Sequence, residues 1–148
     1  KKEMIKIENI NALDEINKGA SMGCDAIKYI IDKVEDNALR DLLERQYDLY
    51  DNIKNKVNDL YPKYNDEAEP HETNTMTKAM TWYGVNMKTI KDHSNSKIAE
   101  ILIQGTNMGI IEGRKILNNK NISKDVHNII EDFVNNQEKL IEDLKEYL

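Results

Sequence analysis

The sequence predicts an all-α protein built from two helical hairpins, which are joined by a long crossover that carries an extra helix. Apolar residues recur at alternating spacings of three and four over four long segments, a pattern typical of amphipathic helices packed in a bundle. No segment alternates as a strand does, and one linker that contains both prolines divides the helical segments into two groups. At 148 residues we expect one domain, 1–148, with a real core.

The first hairpin is predicted over residues 11–61. Its first helix runs from about Asn11 to Val34, and its second helix follows Asp36, a good N-cap residue, and ends near Tyr61. So short a connection predicts that the two helices pack antiparallel. Their predicted core-facing residues are Leu13, Ile16, Ala20, Gly23, Ile27, Ile30 and Val34, then Leu39, Leu43, Gln46, Tyr50, Ile53, Val57 and Leu60.

The crossover is predicted over residues 62–95. Its first part, 62–75, holds both prolines and an acidic cluster and lacks periodicity, so it is predicted to be a linker. Asn74 or Thr75 is a candidate cap for a third helix, and the sequence DHSNS at 92–96 predicts a break before the next one. The third helix carries a methionine-rich stripe of Met76, Met80, Tyr83, Met87 and Ile90.

The second hairpin is predicted over residues 96–148. Its first helix, from about Lys97 to Leu117, is apolar over more than half its circumference, which predicts burial on two sides. Ser123 is the predicted cap of the last helix. The apolar arc of the first helix contains Ile98, Ile101, Leu102, Gly105, Gly109 and Ile116, with Ala99, Ile103, Ile110 and Leu117 on its other side. In the last helix the predicted core-facing residues are Val126, Ile130, Phe133, Gln137, Leu140, Leu144 and Leu148.

All six glycines lie inside helical segments, where each costs about 0.5–1 kcal/mol relative to alanine. The segments KGASMGCDAIKYII (18–31) and QGTNMGIIEGRKIL (104–117) share Gly, Met, Gly, a basic residue and Ile at matching offsets, which suggests a duplicated hairpin. Two hypotheses explain the glycines. The favoured one is a close helix crossing, with the stripe Gly19-Ala20-Gly23-Cys24 facing Gly105, Gly109 and Gly113. The other is a cavity for a flat or elongated ligand, with walls of Met76, Met80, Met87, Met108, Tyr83 and Trp82.

Two helical hairpins linked by one long crossover form the ferritin-like topology. The stretch SKIAEILIQGTNMGIIEG, from Ser96 to Gly113, also resembles small uncharacterised bacterial helical-bundle proteins of the ferritin-like type. This resemblance covers most of the chain from Asn11 onward, and its motif is rich in packing residues and poor in reactive ones. It implies a ferritin-like four-helix bundle more than any particular function.

Ferritin-like di-metal enzymes carry a Glu-x-x-His motif on each of two helices. The residues three positions before the histidines are Ala68, Ile90 and Lys124, so the motif is missing and we expect no di-metal centre and no cofactor. Glu112 lies within the apolar arc. It is either a buried carboxylate with a raised pKa that acts as a ligand or proton donor, or, as we favour, a boundary residue that reaches solvent or pairs with Lys115.

Other candidate residues have structural and functional interpretations. Gln46 and Gln137 occupy corresponding core positions, where they bond each other or a buried water, or bind a ligand. His93 and His127 are candidate axial haem ligands, although capping or solvated positions are favoured, and Cys24 is predicted to be a small core residue. A solvated acidic loop is favoured over a metal site for Glu67, Glu69, His71 and Glu72.

The net charge of −6 and the mixing of lysine with acidic residues argue against nucleic acid as a partner. The apolar residues are spaced, and no run is long enough for a membrane span. A single cysteine excludes an intramolecular disulfide and suits a reducing compartment, so we expect a cytoplasmic protein.

The leading functional hypothesis is a non-catalytic ferritin-like bundle that acts as a binding or structural module. We expect it to self-associate as a homodimer or higher oligomer, through exposed parts of the third or fourth helix or through tyrosine-bearing faces. The alternative is a small-molecule or haem-binding bundle with a methionine-rich, glycine-lined interior, and a weaker one is a metalloenzyme with a degenerate carboxylate site. The candidate ligand-binding residues are Gly105, Gly109, Glu112, Met80, Tyr83, Met87, Gln46 and Gln137.

Overall fold

The computed structural model describes the backbone of residues 2–65 and 77–148 and the side chains of 2–65 and 81–148. Over these residues the chain is helical and forms no strand, which confirms the all-α class. Short 3-10 turns, Ile31–Lys33 and Tyr61–Lys63, follow the first two helices. The helices are α1 (Lys2–Ile30), α2 (Asn37–Leu60), α3 (Thr77–Lys88), α4 (Asn95–Leu117) and α5 (Lys124–Lys145).

The helices pack as two pairs with a shared core. Helix α1 packs along α2, and α4 packs along α5; the pairs meet through α2 with α5 and through α1 with both α4 and α5. Helix α3 packs against α1 and α4. The predicted core-facing residues of α1, α2, α4 and α5 are buried or half-buried, apart from Leu148. Leu148 is exposed because α5 ends at Lys145, before that residue.

The predicted start of α2 is confirmed by its cap. The Asp36 carboxylate accepts a hydrogen bond from the Leu39 backbone N–H at 2.9 Å, which satisfies one of the free donors of the first turn. Its second oxygen accepts from the Asn95 side-chain amide at 3.2 Å. One carboxylate therefore caps α2 and also ties the start of α2 to the start of α4.

The predicted break between the third and fourth helices is also confirmed. The Asp92 carboxylate accepts from the Ser94 backbone N–H at 2.9 Å, and the Ser94 hydroxyl accepts from the Lys97 backbone N–H at 3.2 Å. Ser94 is thus the N-cap of α4. These local side-chain bonds hold residues 92–94 outside either helix, so α3 and α4 are separate.

Helix α1 starts well before the predicted position at Asn11, and Asn9 supplies the reason. Asn9 is fully buried; its amide donates to Ser123 Oγ at 3.0 Å, and its Oδ1 accepts from the Ser123 backbone N–H at 2.8 Å. Ser123 stands at the predicted N-cap position of α5 but makes no side-chain cap bond. Its polar atoms bond Asn9 instead, which fixes the first turns of α1 against the start of α5.

The chain is anchored where α2 passes into the predicted linker. Tyr61 and Tyr64 are buried, and the Tyr64 hydroxyl donates to Asp125 Oδ1 at 2.6 Å. Lys63 Nζ lies 2.7 Å from Asp125 Oδ2. The chain after α2 is therefore held against the start of α5. The remaining linker prediction, the cap at Asn74 or Thr75, the position of Met76 and the acidic cluster lie outside the described residues.

Asn9 provides a test of this packing. Replacement Asn9→Ala leaves the Ser123 backbone N–H without its partner, so we expect the free energy of unfolding to fall by about 1–3 kcal/mol. The control is Asn11→Ala, an exposed position of the same helix, where alanine gives a small gain in helix propensity. Urea denaturation of both variants measures the difference, and equal effects would contradict the assignment.

Candidate functional site

A cluster of four polar residues lies in the interior of the bundle, apart from the buried polar residues Asn9, Asp14 and Glu15 of α1. Gln46 and Tyr50 are one helical turn apart on α2, and Thr106 and Gln137 come from α4 and α5; none of the four is more than 4% exposed. The Tyr50 hydroxyl donates a 2.6 Å hydrogen bond to Gln137 Oε1. We call these four residues the polar centre. The core positions of Gln46 and Gln137 were predicted from the sequence. Their expected hydrogen bond to each other or to a water is not observed for Gln137, whose partner is Tyr50.

The electrostatics of the polar centre keep it neutral. Burial raises the pKa of Tyr50 to about 12, although its three polar neighbours act to lower it. Gln46 is among these neighbours, yet its Nε2 is buried and makes no hydrogen bond. Tyr50 is therefore a protonated donor at physiological pH, and Gln46 places a buried amide beside it.

The glycines accommodate side chains of neighbouring helices. A Cβ atom on Gly23 would overlap the Tyr50 ring of α2, and one on Gly105 would overlap the Tyr83 ring of α3. A Cβ on Gly109 would lie 3.3 Å from Gln137 Nε2 and 3.5 Å from Phe133 Cζ. Glycines of α1 and α4 line one small cavity, as the predicted facing stripes require. The predicted close crossing of the two helices is wrong, because the atoms nearest to Gly23, Gly105 and Gly109 belong to side chains of α2, α3 and α5. The rings occupy the space that the missing side chains leave.

Little empty space remains between these rings. The residual interior cavity has a volume of about 10 Å³, close to the minimum that one water molecule needs. Helices α1, α2, α3, α4 and α5 all contribute to it, and none of the described residues that line it is charged. The cavity is lined by Gly19, Met22, Gly23, Tyr50, Tyr83, Gly105, Thr106, Gly109, Phe133 and Gln137.

Tyr83 separates this interior cavity from a larger surface cavity. Its side chain is partly exposed, but its hydroxyl is buried: burial raises the pKa of Tyr83, the nearby Tyr50 raises it further, and Thr106 lowers it. The surface cavity, about 340 Å³, lies between α1 and α3. It is lined by Met22, Asp25, Ala26, Tyr29, Tyr83, Gly84, Met87 and Lys88. Tyr83 and Met22 thus belong to the walls of both cavities.

The structure brings several candidate ligand-binding residues together. Gly105, Gly109, Tyr83 and Gln137 line the interior cavity, and Met87 is buried at the surface cavity. Gln46 lines a separate surface cavity between α2 and α5. The Met80 side chain lies outside the described part. Glu112 is not in this group: it is half-buried and its Oε1 lies 3.5 Å from Lys115 Nζ. That pair agrees with the boundary interpretation of Glu112.

The other titratable candidates lie away from the interior. His93 is exposed between α3 and α4, and His127 lies on α5 with its Nδ1 3.8 Å from Glu131. Cys24 is buried with its Sγ 3.9 Å from the Tyr47 carbonyl oxygen, and burial raises its pKa, so it packs as a small core residue. Among the described side chains, no three His, Cys, Asp or Glu residues are grouped so that they could hold a metal. None of the described helices is long and apolar enough to cross a membrane.

Two residues of the site were missed at first. Thr106 is polar and lies outside the predicted core-facing set, so periodicity gave no signal for it. Tyr50 was placed in the core as an apolar residue. Its position one turn after Gln46 is the signal that was available, because residues four apart share one helix face.

Tyr50→Phe tests the polar centre. The variant keeps the ring that packs on Gly23 but removes the donor to Gln137, so we expect the free energy of unfolding to fall by about 1–3 kcal/mol. The control is Tyr29→Phe, at an exposed tyrosine. Chemical denaturation at neutral pH measures both changes.

The raised pKa of Tyr50 predicts that the effect of Tyr50→Phe on stability depends on pH. A Tyr50 pKa of about 12, raised from 10.0, means that Tyr50 stabilises the fold fully below pH 10 and loses this contribution as pH rises through about 12. The stability difference between wild type and Tyr50→Phe should therefore shrink over that range, by about 1 kcal/mol for each pH unit. A difference that stays constant in denaturation curves across the range would contradict the raised pKa.

Alanine substitutions at Gly84 and Gly105 provide a matched test of whether the glycine contacts are tight. Among the described residues, nothing lies within 4 Å of a Cβ on Gly84, whereas a Cβ on Gly105 would overlap the Tyr83 ring. Gly84→Ala should raise the free energy of unfolding by up to about 1 kcal/mol through helix propensity. Gly105→Ala should be about 1–3 kcal/mol less stable than Gly84→Ala because the ring must move. Thermal and urea denaturation of the two variants measure this, and equal stabilities would show that Gly105 is not a tight contact.

No family model matches this chain, and neither a characterised protein nor a solved structure matches it. Any function assigned to the chain therefore follows from its own residues and their geometry.

Proposed function

We propose that this protein is a non-catalytic helical bundle of ferritin-like topology that acts as a binding or structural module and associates with itself. Two helix pairs, α1 with α2 and α4 with α5, and a crossover that carries α3 are features that support this topology. The proposed function rests on the polar centre in the interior of the bundle and on the apolar side chains exposed at its surface.

The polar centre is the observation that carries the proposal. In di-metal proteins of this topology, glutamates and histidines from facing helices project into the bundle interior and hold the metals. Here the interior positions of α2 and α5 hold Gln46, Tyr50 and Gln137, and α4 contributes glycine and threonine. Amides and neutral phenols lack the charge of the carboxylates that bind iron or manganese. The hydrogen bond between Tyr50 and Gln137 instead fixes the pairing of α2 with α5.

Exposed apolar side chains support self-association. Val85 on α3 is 56% exposed and Ile111 on α4 is 47% exposed. Ile111 is an exposed apolar residue of α4, a helix that also packs against α1, α3 and α5. A second copy of the chain is the partner that we propose for these faces, because a symmetric contact buries both patches at once.

A small-molecule binder is the second candidate function. The unpartnered amide of Gln46 beside Tyr50, and the single side chain of Tyr83 between two cavities, favour it. A haem ligand is less well supported, because neither His93 nor His127 lines the interior cavity. A degenerate carboxylate site is less well supported too, because Glu112 is paired with Lys115 away from the polar centre.

Size-exclusion chromatography with light scattering, with and without added Fe(II), tests the main proposal. We expect a mass of at least two chains of 17.2 kDa, unchanged by Fe(II), with no iron in the protein peak. Ile111→Glu and Val85→Glu should lower the mass, whereas Asn128→Glu at an exposed position of α5 should not. A monomeric mass for the wild type, or one or two iron ions per chain, would overturn the proposal.

A further inference from the structure

We propose that the surface cavity between α2 and α5 binds a free α-amino acid with an apolar side chain, such as leucine. We call this space the α2–α5 cavity. Its volume of about 400 Å³ falls within the usual range of small-molecule sites. The inference rests on the second candidate function, a small-molecule binder, and gives that function a site separate from the interior cavity.

A buried amide lines the α2–α5 cavity. Gln46 is 4% exposed and belongs to the cavity wall, and its Nε2 atom makes no hydrogen bond. A glutamine amide has two N–H donors and a carbonyl acceptor, and the neighbouring Tyr50 hydroxyl can engage only part of this capacity. A buried polar group without a partner costs free energy, so native structures normally supply one. A polar ligand in the cavity supplies it here.

Opposite charges stand at the α2 wall of the cavity, next to this amide. Arg45 and Asp48 both line the cavity and lie three positions apart, so their side chains are neighbours on one face of α2. Neither forms an ion pair with a described residue, whereas on the α5 wall Lys139 Nζ lies 3.1 Å from Asp143 Oδ2. A guanidinium and a carboxylate one turn apart match the carboxylate and the ammonium of an amino acid.

The mixed charge of the walls distinguishes an amino acid from other small molecules. A ligand with only a negative charge would pair with Arg45 but would also lie near the Asp48 carboxylate. A ligand with only a positive charge would meet the reverse arrangement. Like charges at this separation repel each other, whereas a zwitterion meets an opposite charge at both ends.

Three leucines offer an apolar surface to the side chain of the ligand. Leu42 and Leu140 are buried in the cavity wall, and Leu49 is 40% exposed there. Leu42 and Leu49 lie about one helical turn before and after Arg45, so they share the face of α2 that carries the charged groups. An apolar side chain that covers Leu49 removes its surface from water, which favours binding.

Nuclear magnetic resonance tests this proposal on the whole chain. L-leucine is titrated into isotope-labelled protein while proton–nitrogen correlation spectra follow the Gln46 side-chain amide, and calorimetry measures the affinity. We expect a saturable shift of this amide. Two analogues each lack one charge of leucine: isocaproate has no ammonium group, and isoamylamine has no carboxylate. Each should bind at least about tenfold more weakly than leucine, because charge-assisted hydrogen bonds are lost.

Substitutions on α2 test where the ligand binds. Arg45→Gln and Asp48→Asn each remove one charge at an exposed position, and each should weaken leucine binding at least about tenfold. Gln46→Leu removes the buried amide and should weaken it to a similar extent. The matched control is Lys56→Gln, which removes a charge from an exposed residue of the same helix outside the cavity. It should bind leucine as the wild type does.

The proposal is overturned if leucine gives no saturable response, if either analogue binds as tightly as leucine, or if Arg45→Gln and Asp48→Asn bind leucine as Lys56→Gln does. Circular dichroism establishes that each variant is folded. If Gln46→Leu does not fold, the two exposed positions decide. A monomer that binds leucine would overturn self-association alone, and a dimer that does not bind it would overturn this inference alone, so the two proposals fail separately.

Discussion

The hydrogen bond from Tyr50 to Gln137 is the interaction around which the interior is arranged. It joins α2 to α5 at the centre of the core, 2.6 Å between the phenol oxygen and the amide oxygen. For the tyrosine to reach across, its ring must pass over Gly23 of α1, where any side chain would overlap it. Gln137 in turn lies against Gly109 of α4. The bond therefore leaves no room for a side chain on Gly23 and little room for one on Gly109.

The other two glycines of α4, Gly105 and Gly113, also make room for side chains of neighbouring helices. Gly105 receives the Tyr83 ring from α3, and Gly113 receives Val134 from α5. Helix α4 is therefore packed by two different neighbours, which is why its apolar arc is so wide. The helix-propensity cost of each glycine, about 0.5–1 kcal/mol, is offset by the ring or branched side chain that it admits.

The parts of this structure that the sequence predicted are those fixed by local chemistry. The core-facing residues of four helices, the Asp36 cap and the break at 92–94 depend on spacing and on bonds between near neighbours in the chain. The parts that it did not predict depend on partners far apart in sequence. In the sequence, Asn9 is a polar residue in a weakly periodic segment. Its structural role depends on Ser123, which lies far away in the chain. The sequence shows that the helical glycines carry a cost in helix propensity that packing must offset. Which side chain packs against each glycine depends on tertiary structure alone. In the candidate site, Gln46 and Gln137 were found by their periodicity, whereas Thr106 and the hydroxyl of Tyr50 were not.

The charge state of the interior links the fold to the kind of ligand it can hold. A buried charge without a partner is costly, and in the part of the chain that the structure describes every residue lining the interior cavity is uncharged. Burial holds the Tyr50 pKa at about 12 and also raises that of Tyr83, so both phenols stay protonated under physiological conditions. A carboxylate or ammonium ligand would enter this space without a counter-ion, whereas a neutral hydroxyl meets groups that donate and accept hydrogen bonds. The amides and phenols of the interior thus suit a neutral small molecule better than a charged one.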